Sequence, residues 1–384
     1  GTLHAKKGNA GSVQFVLANT KPVMKGMVPG VPIVAAEGSA GRRRVEAAFK
    51  DFRDLFPAAM CHAQIVPVDE VVTMILFHRE DEALRRFADI GQAEDGLLVC
   101  YDADCRCSAN YFTGIESHFA SLPDAPGCSI HFEHPLDAGE WAALGFGDDA
   151  PSQTLFDGIA AYELHLRYHV LAQKFIGFPY AFHTIGSAMA VRAWAYVKQG
   201  GMNRRQAGED FYFLQKISWL GQVTELTGVT VHPSPRLSDR VPFGTGKAIG
   251  DYVANGRLAT YPLQAYRDAQ WLLGQVRALW ETGRPSDAPP EAMARFLGEP
   301  FIGSVVPEIR TNSGDLGAFR KRFFRWFNAF RLMKFLNLAR DEIHGLAEVE
   351  VAATELLEWM KLPRPILGSA VDLLRQFRRL EEKP

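Results

Sequence analysis

The most constraining feature of this sequence is a short apolar run that ends in two aspartates. Leu97 to Cys100 is apolar, and Asp102 and Asp104 follow it closely. The run predicts a buried strand, which delivers two carboxylates to its C-terminal end. In open α/β sheets ligands bind at that end, where hard oxygen ligands suit Mg²⁺ or Mn²⁺ together with a substrate phosphate. Acidic residues that only cap a strand give the same pattern. Other motifs must therefore distinguish a metal–phosphate site from a simple strand end.

Length, charge and cysteine content narrow the class of protein. The 384 residues are 47 % hydrophobic and 22 % charged, which is typical of a globular protein with a sizeable core. A net charge of -2 argues against a general nucleic-acid-binding protein. No apolar run is long enough to span a bilayer. Five cysteines, an odd number, favour reduced thiols and a cytoplasmic location.

Hydrophobic periodicity indicates the fold class. Apolar runs at residues 31–36, 63–68 and 71–77 predict strands, while residues 42–56 and 80–90 have helical spacing. This alternation predicts an α/β, Rossmann-like domain over residues 1–250, with a mostly parallel sheet and helices on both faces. From about residue 250 the pattern becomes helical. We therefore expect an α-helical C-terminal region over residues 251–384.

Two further motifs lie in the middle of the chain. Gly186 and Ser187 open an apolar strand, where small residues let a ligand, or simply a packed helix, approach the backbone closely. Glu209 and Asp210 follow Gly208 and open an apolar helix. Acidic residues there complement the helix dipole, but a carboxylate held in a cleft can also deprotonate an incoming hydroxyl.

A basic loop follows the next predicted strand. It contains His232, Arg236, Ser238 and Arg240 and ends in a Gly-Thr-Gly turn at residues 244–246. Arginines, a serine and glycine-rich backbone together suit the binding of phosphate oxygens. The imidazole at the end of the strand is a candidate metal ligand.

Other histidines leave a metal hydrolase open as an alternative. His131 and His134 flank a glutamate, and His165 and His169 stand one helical turn apart, a spacing that can chelate a metal ion. The helix that carries the second pair is otherwise aromatic and apolar, which favours buried, hydrogen-bonded rings.

In their order, the four motifs resemble those of GT-A glycosyltransferases, most closely bacterial family 2 enzymes, over about residues 95–246. The resemblance implies the GT-A fold and transfer of a sugar from a nucleoside-diphosphate sugar to a hydroxyl acceptor. It implies that Asp104, Asp102 and His232 hold Mn²⁺ or Mg²⁺, with Asp102 also near the ribose. Asp210 would be the general base of an inverting transfer, and Glu209 would position the acceptor or the base.

The resemblance also implies a donor pocket. Gly186 and Ser187 would border the donor sugar, and Arg236 and Arg240, in one loop with Ser238, would neutralise the leaving diphosphate. Two alternatives remain open on the same residues: a nucleotidyltransferase that forms sugar nucleotides, and a non-catalytic nucleotide-sugar-binding protein. Neither reading calls for a nucleic-acid partner.

A basic aromatic stretch stands out in the helical C-terminal region. Residues 319–338, expected to form a helix, combine arginines and lysines with Trp326, Phe327 and Phe330. Such a composition can dock on an anionic membrane, so peripheral membrane contact is an expectation for this stretch. Packing of its apolar residues on the rest of the protein is the alternative.

Overall fold

The structure is a computed structural model that describes residues 3–7, 13–17, 65–67, 74–75, 96–102, 105–202, 208–235, 244–363 and 369–381. The segments expected at residues 31–36, 42–56 and 80–90 lie outside these ranges. The short strands Ile65–Pro67 and Met74–Ile75 fall within the runs predicted at residues 63–68 and 71–77. The strand expected before the aspartates is confirmed, with all four residues of Leu97–Cys100 buried.

The strands are numbered along the chain. They are β1 (Leu3–Lys7), β2 (Val13–Leu17), β3 (Ile65–Pro67), β4 (Met74–Ile75), β5 (Leu97–Cys100), β6 (Cys105–Cys107), β7 (Gly127–Phe132), β8 (Met189–Arg192), β9 (Thr224–Pro233), β10 (Ala259–Thr260) and β11 (Ala347–Glu348). Six of them form one sheet in the order β4-β5-β8-β7-β9-β6. Two smaller sheets have the orders β2-β1-β3 and β10-β11.

The helices are numbered in the same way. They are α1 (Tyr111–Ser121), α2 (Ala138–Ala143), α3 (Gln153–Phe175), α4 (Ala193–Lys198), α5 (Glu209–Ile217), α6 (Thr245–Asn255), α7 (Leu263–Gly274), α8 (Val276–Thr282), α9 (Glu291–Pro300), α10 (Val306–Thr311), α11 (Leu316–Trp326), α12 (Ala329–Leu338), α13 (Val349–Trp359) and α14 (Ala370–Glu381). Two π-helical segments, Phe301–Val305 and Ala339–His344, continue α9 and α12. The chain is therefore mixed α/β, as the sequence predicts.

The six-stranded sheet is mixed, so the expectation of a mostly parallel sheet is wrong for the described strands. β4 with β5 and β7 with β9 are parallel, whereas β5 with β8, β8 with β7 and β9 with β6 are antiparallel. The reason lies in the connection between β7 and β8. The chain leaves the C-terminal end of β7, runs through residues 134–183, and re-enters the sheet beside that same end, where Met189, the first residue of β8, pairs with Ser129. A helical crossover would have returned the chain to the other end of the strands and made β8 parallel to β7.

Contacts divide the chain into two compact units. One contains Gly1–Glu133 and Thr184–Ser234, and the other contains His134–His183 and Pro235–Pro384. The sequence suggested a single boundary near residue 250 instead. The difference arises because α3, which precedes that boundary, packs against α6, α13 and α14. Its buried surface extends around the helix, so it needs partners that lie far ahead in the sequence.

A glycine allows α1 to lie close to the sheet in the first unit. A Cβ atom placed on Gly114 would lie 2.2 Å from Cγ1 of Val229, a fully buried residue of β9. Asn110, just before the helix, donates from Nδ2 to the carbonyl of Gly228 at 3.0 Å. The helix is thereby fixed against the strand that ends in His232.

Aromatic side chains fill the core of the second unit. Phe319, Phe323, Phe327 and Phe335 are each fully buried, together with Tyr266. Close packing of such rings stabilises this unit, whose described elements are helices and one short strand pair.

The stretch expected as one helix over residues 319–338 is two helices, α11 and α12. The break follows from local capping, because the Asn328 side chain accepts a hydrogen bond from the backbone N–H of Arg331 at 3.0 Å. Phe327, which ends α11, is fully buried. Within the described segments, none of the helices combines the length and the apolar character needed to cross a membrane.

Candidate functional site

The C-terminal end of β5 carries the first predicted carboxylate. Asp102 is exposed, two residues beyond the buried Cys100, and Cys100 pairs with Met189, the first residue of β8. Because the two strands are antiparallel, the end of β5 lies beside the beginning of β8. Asp102 is therefore brought next to the segment that contains Gly186 and Ser187.

Gly186 and Ser187 form the middle of a turn that leads into β8. The backbone N–H of Ala188 donates to the carbonyl of Ile185 at 2.9 Å, which closes the turn. Ser187 is buried, and Gly186 is half-buried. A Cβ atom placed on Gly186 would lie 3.2 Å from Oδ2 of Asp210. The glycine therefore gives room to the carboxylate of Asp210, which belongs to another element.

Helix α5 positions Asp210 and Glu209. Gly208, which precedes the helix, has a φ of 72°, a left-handed conformation that glycine adopts readily. Glu209 is buried and Asp210 half-buried. Oδ1 of Asp210 accepts a hydrogen bond from the backbone N–H of Phe211 at 2.7 Å. Both carboxylates lie in the first turn, where the helix dipole stabilises negative charge.

The thiol of Cys100 shows that two of the predicted carboxylates lie near one point. Its pKa is raised to about 12, first by complete burial and then by the negative charges of Asp102 and Asp210. A charge acts on a pKa in this way only at short range. Asp102 and Asp210, far apart in the sequence, thus both lie within electrostatic range of the Cys100 thiol at the end of β5.

Strand β6 holds His232 close to the C-terminal end of β5. The backbone N–H of Cys105 donates to the carbonyl of Asp102 at 3.0 Å, so the chain turns from β5 directly into β6. Cys105 pairs with Pro233, and Arg106 with His232. The end of β9 is thereby held close to the end of β5.

A backbone hydrogen bond fixes the orientation of the His232 ring. Its Nδ1 lies 3.0 Å from the carbonyl oxygen of Glu133. A carbonyl can only accept, so Nδ1 carries the hydrogen, and in the neutral ring the lone pair lies on Nε2. Histidines that bind metals through one ring nitrogen typically donate the other to a carbonyl in this way.

Four predicted site residues lie outside the described ranges: Asp104, Arg236, Ser238 and Arg240. Their roles stay predictions. Within the described ranges, no group of three or more histidine, cysteine or acidic side chains is arranged to hold a metal ion. A cation site on Asp102 and His232 therefore depends on Asp104 as a further ligand.

The structure adds His131, Glu133 and Arg106 to this edge. Nε2 of His131 donates to Oε1 of Glu133 at 3.1 Å, and Glu133 also donates its backbone N–H to the carbonyl of Val231 at 2.9 Å. The sequence marks two of them, because His131 and His134 flank Glu133. In the sequence that pattern is interpreted as a candidate metal-hydrolase motif, and not as part of the site that contains His232.

The remaining histidines of the hydrolase hypothesis have separate partners. Nδ1 of His165 hydrogen-bonds to Thr260 at 2.7 Å, and Nδ1 of His169 to Tyr266 at 2.6 Å. Burial lowers the pKa of His165 to about 4 and that of His169 to about 3. His134 bonds to a buried glutamate. His165 and His169 are therefore hydrogen-bonded, neutral rings of the kind that an apolar helix favours, and they do not support a metal hydrolase.

A scan against protein-family models and a search of curated proteins gave no match to this chain.

Proposed function

We propose that this chain is a metal-dependent glycosyltransferase of the GT-A type, acting on a nucleoside-diphosphate sugar. The observation that carries the proposal is the position of Asp102 and Asp210 near the end of β5, with Gly186 directly against Asp210. A donor bound at this edge would have its diphosphate near Asp102 and its sugar near Gly186. The acceptor would then lie on the side of Asp210.

Asp210 fits the role of general base. It is half-buried at the beginning of a helix, and the N–H of Phe211 already bonds to one of its oxygens. Its other oxygen, Oδ2, is the atom closest to Gly186. A hydroxyl that donates to Asp210 would be activated for direct attack on the anomeric carbon, with inversion at that carbon.

Charge develops at two places in this reaction. The sugar passes through a transition state with oxocarbenium character, as in glycoside hydrolysis, and the leaving diphosphate gains negative charge. We assign Arg236, Ser238 and Arg240 to the diphosphate, and Asp102, Asp104 and His232 to a divalent cation. The donor set of carboxylates and an imidazole suits Mn²⁺ and also accepts Mg²⁺. The cation would supply further neutralisation of the diphosphate.

Calorimetry of nucleoside diphosphates with and without Mn²⁺ tests the assignment. We expect at least one of them to bind in a Mn²⁺-dependent manner, and Asp104→Ala to lose that dependence. Asp124→Asn is a matched control, because Asp124 is an exposed carboxylate just before β7. It therefore lies at the N-terminal end of that strand, away from the end that carries the proposed site. Equal Mn²⁺-dependent binding by wild type and Asp104→Ala would refute the metal assignment.

The products distinguish this function from its two alternatives. A glycosyltransferase releases a nucleoside diphosphate when it is supplied with donor and acceptor. A nucleotidyltransferase releases pyrophosphate from a nucleoside triphosphate and a sugar phosphate. A binding protein takes up the sugar nucleotide and releases neither product.

A further inference from the structure

Helices α11 and α12 carry a surface of unusual charge. No acidic residue occurs between Asp315 and Asp341. This interval contains seven cations, of which Arg340 pairs with Asp341. The other six are what we call the basic face: Arg320, Lys321, Arg322, Arg325, Arg331 and Lys334. All but Arg331 are exposed. Such an interval contrasts with a whole chain whose net charge is -2.

The cations of the basic face lack the ion pairs that other surface cations of this unit make. Arg257 pairs with Glu348 at 2.8 Å, and Arg277 with Glu281 at 2.8 Å. Arg295 lies 3.1 Å from Glu342. Among the residues that the structure describes, none of the six cations has an acidic partner within the distance of a salt bridge. Their positive charge is therefore not neutralised locally.

The apolar sides of the same two helices are already used. Phe319 and Phe323 on α11, and Leu332, Phe335 and Leu336 on α12, are buried in the core of the unit. These two helices therefore present no large exposed apolar stripe to a partner. Their exposed residues can bind a partner mainly by electrostatic attraction.

Aromatic rings hold several of the cations in place. The guanidinium of Arg331 lies 4.5 Å from the ring centre of Trp326, and the ammonium of Lys334 lies 4.6 Å from that of Phe330. Trp326 also stacks on Phe301, with ring centres 5.2 Å apart. The ring of Trp326 thus already contacts a guanidinium and a phenyl ring, which disfavours its use as a stacking platform for a nucleic-acid base.

We propose that the basic face docks on an anionic membrane surface. A run of cations along two consecutive helices, two of which, Arg331 and Lys334, lie against the half-buried rings of Trp326 and Phe330, matches a layer of negatively charged headgroups, where amphipathic aromatic rings are also well accommodated. Each cation near such a surface strengthens binding about fivefold. The contact is electrostatic and peripheral, and salt weakens it.

Vesicle flotation of the full chain tests the proposal. Vesicles of phosphatidylcholine with about one third phosphatidylglycerol are compared with pure phosphatidylcholine at low and high salt. The variant Lys321→Gln, Arg322→Gln, Arg325→Gln removes three exposed cations and leaves the contacts of Arg320, Arg331 and Lys334 with aromatic rings in place. The control variant Arg257→Gln, Arg284→Gln, Lys361→Gln removes three exposed cations elsewhere in the same unit.

We expect binding to anionic vesicles at low salt only, with a partition coefficient reduced on the order of a hundredfold in the first variant and by much less in the control. Circular dichroism of both variants verifies that the helices are intact. Equal binding to neutral vesicles, equal losses in both variants, or no binding by the intact chain would overturn the proposal. The proposal would also be overturned if the full chain failed to bind the vesicles but bound an RNA oligonucleotide through the same three cations.

Discussion

The carboxylate of Asp210 allows a direct test of chemistry at a single residue. Asp210→Asn keeps the size of the side chain and its acceptor oxygen for the N–H of Phe211, but removes the negative charge. We expect donor binding to persist and transfer to fall by about 10²–10⁴-fold, the usual contribution of a general base. Calorimetry measures the first quantity, and release of nucleoside diphosphate in the presence of acceptor measures the second.

Asp124→Asn is the appropriate comparison for this variant, because it makes the same chemical change at an exposed position. An Asp210→Asn protein that transfers sugar at the wild-type rate would remove Asp210 from the mechanism. A variant that no longer binds the donor would place Asp210 on the donor instead of the acceptor.

Gly186 provides an independent test of the same carboxylate. A methyl group at this position would lie 3.2 Å from Oδ2 of Asp210, tighter than ordinary contact, so the carboxylate must shift by a few tenths of an ångström. We expect Gly186→Ala to reduce kcat about tenfold or more, because catalysis is sensitive to such displacements, while the free energy of unfolding changes little. Steady-state kinetics and urea denaturation together separate the two effects.

The matched control for this substitution is Gly228→Ala. Gly228 is exposed on β9, and a Cβ atom there would have no neighbour within 4 Å. Both variants add one methyl group, but only the first one crowds Asp210. If they behave alike in kinetics, the contact between Gly186 and Asp210 has no catalytic meaning.

At the scale of elements, helices α3 and α14 are held together by a buried group of charges. Both oxygens of Glu163 accept from Arg378, from its Nε and its Nη2, each at 2.8 Å. Nε of Arg167 donates at 2.9 Å, and the backbone N–H of His134 also donates at 2.9 Å. Glu163 and Arg167 are fully buried. Each charge is therefore stable only in the presence of the others.

Removal of one member of this group should be costly. We expect Glu163→Gln to lower the free energy of unfolding by about 3 kcal/mol, because it removes the buried carboxylate that Arg378 and Arg167 share, although Arg167 keeps its ion pair with Glu381. Asp251→Asn, which breaks the exposed pair of Lys247 with Asp251 on α6, should cost about 0.5 kcal/mol or less. Urea denaturation of both variants measures the difference. Similar costs for the two would show that the buried group contributes no more than a surface pair.

The same group predicts the pH dependence of stability. Burial would raise the pKa of Glu163, but the charges of Arg378 and Arg167 and the hydrogen bonds from His134 and Arg378 outweigh it and hold the pKa well below 4.5. A carboxylate with a lowered pKa in the folded state stabilises the fold above its unfolded pKa. The advantage of wild type over Glu163→Gln should therefore be full near neutral pH and shrink as the pH falls below 4.5. A difference that is constant from neutral to acid pH would contradict this assignment.

Local elements were predictable where sequence neighbours determine them. β5 was located to the residue, because its apolar run is bounded by a glycine and by polar residues, and α5 begins at the carboxylate pair, as expected. The direction of β8 was not predictable, because it depends on where the chain returns after residues 134–183. The bond between Glu163 and Arg378 joins residues 215 positions apart, and no local pattern marks either as a partner.

At the scale of the whole molecule, the prediction of one boundary near residue 250 carries no information on the contacts of α3 with later helices. Helical spacing indicated where α3 lies but not what covers it. Tyr168 illustrates the point, because its hydroxyl donates to the carbonyl of Tyr261 at 3.0 Å and its ring packs edge-on against Tyr266. The order of the motifs was the basis for expecting Asp102 and Asp210 in one site. Their proximity depends on the pairing of β5 with β8, which the sequence does not specify.

A chain that ends at Gly250 tests this division of the molecule. The cut falls within α6 and removes α13 and α14, so the buried side of α3 loses its partners. Each large apolar side chain that becomes exposed costs about 1.5–3 kcal/mol, so several of them together approach the whole stability of a typical domain. We expect proteases to cut the shortened chain within residues 134–183, while the full chain protects this segment. A chain that ends at Glu381 keeps all these partners and should be as resistant as the full chain. Equal protection of residues 134–183 in all three proteins would show that α3 belongs with the sheet after all.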